Sequence, residues 1–166
     1  MSAILTTLGL RAAAPGDVIP NKAHVYIIAN WWLAYLAFGT RVAKRIYGID
    51  HNAAPREDLA KYGEAAVQSG KISRQTLDKL KRMEAAHANS MENFTFFIAG
   101  ILLAVQAGVP GETINKIGAW YTVSRVVFGL AYIFIESEPL SFVRSVAYWS
   151  GNVSCISALV LAGKKL

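Results

Sequence analysis

The chain has 166 residues, of which 54% are hydrophobic and only 17% charged, and its mean hydropathy is +0.32. A water-soluble domain carries about 25% charged residues, so the composition excludes an ordinary soluble protein, and with it disordered and collagen-like chains. Seventeen basic residues against 11 acidic ones give a net charge of +6. In so apolar a chain that excess suits anionic lipid headgroups and argues against nucleic acid. A single cysteine, Cys155, excludes an internal disulfide and a cysteine-based zinc cluster. The class is a small integral membrane protein whose first partner is the lipid bilayer.

In chain order, Ala3 to Leu10 is a short apolar run with no basic residues before it. Although Ala12-Ala13-Ala14 follows, the pattern is not that of a signal peptide. It reads as a mobile tail or a short interfacial helix. Four stretches then approach the roughly 20 apolar residues that cross a bilayer as a helix. Ala23 to Thr40 contains no Lys, Arg, Asp or Glu; Phe94 to Val109, Ile117 to Ile135 and Phe142 to Ala162 follow, the last two with one arginine each. Sustained period-two alternation is missing, so strands are not expected. The expected fold is all-α, a single domain with four transmembrane helices at about 23–40, 91–109, 117–135 and 142–162.

Between the first two spans lies a long polar segment, about 41–82, with ten basic and five acidic residues, a balance of +5. The positive-inside rule places it in the cytosol, with the 136–141 turn on the same side. His51-Asn52-Ala53-Ala54-Pro55 reads as a loop, because proline disfavours helix in the residue before it. Ser73 has the chemistry of an N-cap, and Leu77, Leu80, Met83 and His87 follow at helical spacing. One long helix from Ser73 to about Ala107 is expected, its first turns outside the hydrocarbon, stopped by Gly108-Val109-Pro110-Gly111.

Charge inside a span costs at least a few kcal/mol, so each instance asks for a reason. Arg125, Phe128 and Tyr132 share a face of the third helix; Arg144 and Tyr148, with Ser145 beside them, share a face of the fourth; Asn89 and Glu92 share a stripe with Ala85 and Phe96 on the second. The bland account is that Glu92 pairs with one arginine and ties the bundle, or that Arg144 snorkels to headgroups. The set has more donors than one such pair needs, which points to an anionic or polar ligand. Glu84 and His87 have the Glu-x-x-His spacing of di-iron bundles, but that motif needs a second copy and the sequence has none, so no metal is expected. Trp31, Trp32, Tyr35, Phe94, Phe97, Trp120 and Trp149 offer an apolar wall, which suits a lipophilic substrate.

The run Glu84-Ala85-Ala86-His87-Ala88-Asn89-Ser90-Met91-Glu92-Asn93 resembles the MAPEG superfamily, the membrane-associated proteins in eicosanoid and glutathione metabolism. Arg125 to Tyr132 is similar to the family's Arg-x-x-x-x-x-x-Tyr third-helix motif. Arg144-Ser145-Val146-Ala147-Tyr148 resembles the Arg-Ser-x-x-Tyr run of the microsomal prostaglandin E synthase branch. The likeness covers roughly Trp31 to Leu161. It implies a four-helix protomer in a homotrimer of the endoplasmic reticulum membrane, with sites between subunits near the cytosolic face. Glutathione would be the cofactor and a lipophilic electrophile the substrate, in a transferase, peroxidase or isomerase reaction. By matching positions, Asn89, Glu92, Arg125, Tyr132 and Tyr148, with Arg41 at the end of the first helix, would bind glutathione. Arg144 would stabilise its thiolate and Ser145 donate a hydrogen bond to the sulfur. The sequence departs from the family at Ala85 or Ala88, where several members carry an extra arginine, and at Phe128, where they carry His or Tyr. Those departures keep two alternatives open: a glutathione-independent isomerase or cyclase, and a non-catalytic lipid-binding or scaffold protein.

Overall fold

A computed structural model describes residues 2–166, and every regular element in them is helical. After a short α1 (Ser2–Thr7), the first bundle helix is α2 (Ala23–Trp32), which runs directly into a π turn (Leu33–Ala37). Then come α3 (Arg41–Ile46), α4 (Asp58–Gln68), α5 (Arg74–Gln106), α6 (Gly111–Phe134) and α7 (Glu138–Gly163). The expected all-α bundle is present. Helices α5, α6 and α7 are each long and apolar enough to cross a membrane.

Local chemistry fixes the ends of these helices. Ser73 is extended, and its Oγ accepts from the Thr76 N–H at 3.0 Å, so the N-cap of α5 is the expected one. The 33 residues of α5 span about 50 Å against a hydrocarbon core of about 30 Å, so its first turns project beyond that core. Gly108, at φ +70, supplies the left-handed conformation that ends α5, and Pro110 precedes the first residue of α6. Pro139 lies in the first turn of α7, where its missing N–H costs nothing.

The three long helices pack against one another, and α2 lies across α6 and α5. Their shared core is Phe97 stacked on Tyr121, with ring centroids 4.1 Å apart, together with Ile101, Ala104, Ile114 and Ala158. Two glycines of α6 let the first helix approach. A Cβ on Gly118 would stand 2.5 Å from the Tyr26 ring, and one on Gly129 would collide with the Phe38 ring. From Tyr26 on, the buried stripe of the first helix is Tyr26, Asn30, Ala34 and Phe38, one residue in every four. In an α-helix that repeat drifts about 40° per turn. The wider π turn offsets the drift and keeps Phe38 on Gly129.

Segment 41–82 is more than a polar loop. The sequence reading found one helix there, beginning at Ser73; α3 and α4 are additional. Helix α4 packs on the first turns of α5 around a second core of Ile49, Leu59, Ala66, Ile72, Leu77 and Leu80, and Ala43 of α3 borders that core. The missed signal is Leu59, Gly63 and Ala66 at helical spacing on the buried face of α4. The knot of this unit is Asp58, fully buried, with Lys44 Nζ at 3.2 Å and His51 Nδ1 at 3.0 Å. Lys44 also meets Glu84 at 3.2 Å, which ties the unit to α5. Burial alone would raise the Asp58 carboxyl. The His51 backbone N–H, Lys44 and the His51 ring outweigh it and hold the group below its ordinary value. Arg74 and Lys81 pull the exposed Glu64 carboxyl down to about 2.

The two ends of the bundle are closed differently. At the end carrying segment 41–82, Arg82 Nη2 meets Glu136 at 2.7 Å and its Nε donates to the Ile133 carbonyl, which fixes α5 beside the α6–α7 turn. At the other end the N-terminal segment is fastened, and of the two readings of Ala3–Leu10 the mobile tail does not hold. Asn115 Nδ2 donates to the carbonyls of Gly9 and Pro20, its Oδ1 accepts from the Lys22 N–H at 2.7 Å, and the Tyr26 hydroxyl donates to Leu8 O.

Candidate functional site

Beside the bundle core, α6 and α7 carry a ladder of alternating cations and rings. The Arg125 guanidinium lies 4.1 Å from the Phe128 ring, and Phe128 meets Tyr132 edge-on at 5.5 Å. Tyr132 in turn lies 4.3 Å beneath the Arg144 guanidinium, and Tyr148 approaches Phe128 at 6.1 Å. The face predicted for α6 and the face predicted for α7 thus meet, through cation–π and ring contacts.

Arg125 is the buried member of the ladder, with 2% of its surface exposed. One Nη donates to Asn89 Oδ1 at 2.9 Å and to Ser90 Oγ at 3.1 Å, while Nε and the other Nη have no hydrogen-bond partner among the described residues. Ser90 was not among the sequence candidates; its place one residue after Asn89 was the available signal. The expected bland pairing of Glu92 with an arginine does not occur, because neutral oxygens of α5 hold Arg125. Among the described residues Glu92 has no ion-pair partner.

Two concavities share Glu92. A cleft of about 390 Å³ lies between α5 and α7, lined by Asn89, Glu92, Asn93, Tyr148 and Asn152 with apolar neighbours. Its floor is a buried amide chain: Tyr121 OH donates to Asn93 Oδ1 at 3.0 Å, and Asn93 Nδ2 donates to Asn152 Oδ1 at 2.7 Å. Both asparagines stand in Asn-x-Ser/Thr triplets, and both side chains are engaged inside the bundle. A groove of about 600 Å³ lies on the other side of Glu92, lined by Tyr35, Arg41, Lys44, Arg56, His87 and Ala88 among others. Arg41 bonds Asn52 and stands 3.6 Å from Asp50. Lys44, Arg56 and His87 of this groove were not sequence candidates for a ligand site. The segment fold that brings Arg56 back to α5 has no local signature.

The predicted residues therefore fall into three groups. Asn89, Glu92 and Tyr148 line one cleft; Arg41 borders the groove across Glu92; Arg125, Tyr132 and Arg144 belong to the ladder. Ser145 is exposed on α7 next to Arg144. Of the expected apolar wall, Phe97 and Phe94 are buried in the bundle, whereas Trp31, Trp32, Tyr35, Trp120 and Trp149 face outward.

Residues 23–164 match the model of the MAPEG family. The chain belongs to that family. No curated protein and no solved structure matches it significantly. The MAPEG family is a membrane superfamily of the glutathione-related transferase and isomerase type, and its members generally use glutathione. Together with the three apolar helices, the match makes this MAPEG chain an integral membrane protein.

The donor set suits a glutathione-like zwitterion. Glu92 is a free acceptor for an ammonium group, Arg41 and Arg56 are cations for carboxylates, and Asn89 and Tyr148 offer neutral polar contacts. The departures from the family pattern also have definite places. Ala88 lines the groove but adds no charge to those of Arg41, Lys44 and Arg56, and Phe128 fills with an apolar ring the position beneath Arg125.

Proposed function

We propose that this protein is a glutathione-dependent transferase, peroxidase or isomerase acting on a lipophilic electrophile. It would work as a homotrimer in the endoplasmic reticulum membrane, with segment 41–82 in the cytosol. The observation that carries the reading is Glu92. It lies about 15 Å along α5 from Arg82, at the start of the expected 91–109 span, with no ion-pair partner among the described residues. An ionised carboxylate left so is costly, and an arriving ammonium group removes the cost.

When bound, glutathione supplies a sulfur nucleophile. Glu92 would hold its amino group, and Arg41, with Arg56, its carboxylates. Arg144 would keep the sulfur ionised: a free thiol titrates near pH 8.5, and an adjacent cation lowers that value. Ser145 would orient the same sulfur by a hydrogen bond. A homotrimer would set a neighbour's α7 against the groove, so that Arg144 and Arg41 serve one site from two subunits. The outward tryptophans border the bilayer from which a greasy substrate arrives.

Glutathione added to the purified protein should produce the ultraviolet absorbance of a thiolate, which a protonated thiol lacks. Arg144→Ala should abolish that absorbance while the protein stays folded, because its ring contact with Tyr132 lies at the helix surface. Glu92→Gln should weaken binding about tenfold or more, the usual worth of a hydrogen bond to a charged group. Wild-type protein that neither binds glutathione nor shows the absorbance refutes the proposal.

The departures at Ala85 or Ala88 and at Phe128 favour a second reading, since they remove polar contacts that several family members have. In it the cleft serves a glutathione-independent isomerase or cyclase, with Tyr148 and Glu92 moving protons. Turnover of a lipophile in the absence of thiol distinguishes it.

A further inference from the structure

A third cavity, of about 510 Å³, lies within the protomer between the π turn, the first turns of α5 and the last turns of α6. Its walls are almost wholly apolar, from Leu33, Phe38, Leu80, Met83, Leu130 and Ile133, and it shares no residue with the groove or the cleft around Glu92. It opens into a polar vestibule of about 640 Å³ that contains Gln75, Arg82 and Glu136. Tyr47, Thr76 and Lys79 line both chambers. Both volumes fall in the range of about 300–1,000 Å³ typical of small-molecule sites.

Charge at the junction selects the occupant. Arg82 is neutralised by Glu136 at 2.7 Å, whereas Lys79 has no carboxylate partner among the described residues. The Lys79 ammonium lies 4.7 Å from the Phe134 ring, at the rim of the apolar chamber. The vestibule stands at the level of the α6–α7 turn, where α6 ends, and segment 41–82 makes this the basic end of the molecule. An apolar slot for a chain, one unpaired cation at its mouth and a headgroup-sized polar chamber beyond match a lipid of the adjoining leaflet.

We infer that this paired chamber is a binding site for one anionic phospholipid per protomer, with an acyl chain between the π turn and α6 and its phosphate on Lys79. The site does not depend on glutathione. The π turn has a place in it as well as in the packing against α6, since Leu33 and Ala37 both line the chain slot.

The test is native mass spectrometry of the whole protein released from nanodiscs of equal parts phosphatidylcholine and phosphatidylglycerol. One phosphatidylglycerol per protomer should be retained in preference to phosphatidylcholine, and excess oleate should not displace it. Lys79→Ala should lower retention about fivefold, the worth of one lysine at an anionic surface. Lys79 is exposed and forms no ion pair among the described residues, so the fold survives its loss. Ala37→Trp, which fills the slot from an exposed position, should also lower retention. Equal retention of phosphatidylcholine, displacement by oleate, or unchanged retention in both variants overturns the inference.

Discussion

Arg125 shows how a buried charge can be kept without a counter-charge. Its guanidinium shares one nitrogen between Asn89 and Ser90 and lies over Phe128, leaving two nitrogens with no hydrogen-bond partner among the described residues. Removing a buried charge together with its solvation cost is often neutral, whereas keeping the charge and losing its geometry is not. Arg125→Met should therefore leave the melting temperature in detergent within a few degrees of wild type, while Arg125→Lys should lower it. An ammonium is more strongly hydrated than a guanidinium and has no planar face to lay on Phe128. Scanning fluorimetry of both variants checks the order. The ladder itself was legible in the sequence, because Arg125, Phe128 and Tyr132 fall on one helical face. That Arg125 would turn inward to α5, with Glu92 left free, was not legible. It depends on how α5 and α6 rotate about their axes, which is decided by the stacking of Phe97 on Tyr121 and by other contacts distant in sequence.

Among the elements, the first helix packs on α6 at two glycines, Gly118 and Gly129. Tyr26 is anchored through its hydroxyl to Leu8 O and cannot swing away from Gly118. Gly118→Ala should therefore destabilise the fold by about 1–3 kcal/mol, as overpacking does, and thermal denaturation of the variant measures it. The α3–α4 unit is held by charge as much as by its core. Because the Asp58 carboxyl is held below its ordinary value, its contribution to stability is present above that ordinary value, near pH 4. The contribution fades as the pH falls through the lower, folded value, and Glu64 adds to the same acid window down to about 2. Hydrogen exchange in residues 41–72 should accordingly rise below pH 4 before the long helices open. Asp58→Asn should reproduce that rise at pH 7 by leaving the buried Lys44 with Glu84 as its one carboxylate beside the Pro55 carbonyl. Helices α5, α6 and α7 were readable from hydropathy and from their breakers. Helix α4 was not, because its 11 residues bury one leucine beside Asp58, Gly63 and Ala66 and otherwise look like a solvated loop.

For the whole molecule, the outward faces of α6 and α7 are the informative ones. Trp120, Val123, Phe142, Val146 and Trp149 are exposed there, which suits lipid, while the polar groups around Glu92 lie in the grooves that flank α5. A trimer that buries those grooves removes polar surface that hydrocarbon cannot satisfy. Native mass spectrometry in mild detergent should show a threefold species, and a monomer with full activity would refute the shared site. Sequence could rank this assembly only through the family likeness, since the periodicity of a lone bundle is the same.

Asn115 also sets an order of events during synthesis. One amide holds Gly9, Pro20 and Lys22, and the last of these is 93 residues earlier in the chain. At about 5–20 residues per second, residues 9–22 wait roughly 5–20 s on the ribosome before their partner exists. The first helix likewise has no Gly118 to receive Tyr26 until then. Closing that end of the bundle is thus a late step, taken only once α6 has been made, and a nascent chain halted before Asn115 presents its N-terminal segment unfastened to any protease that can reach it.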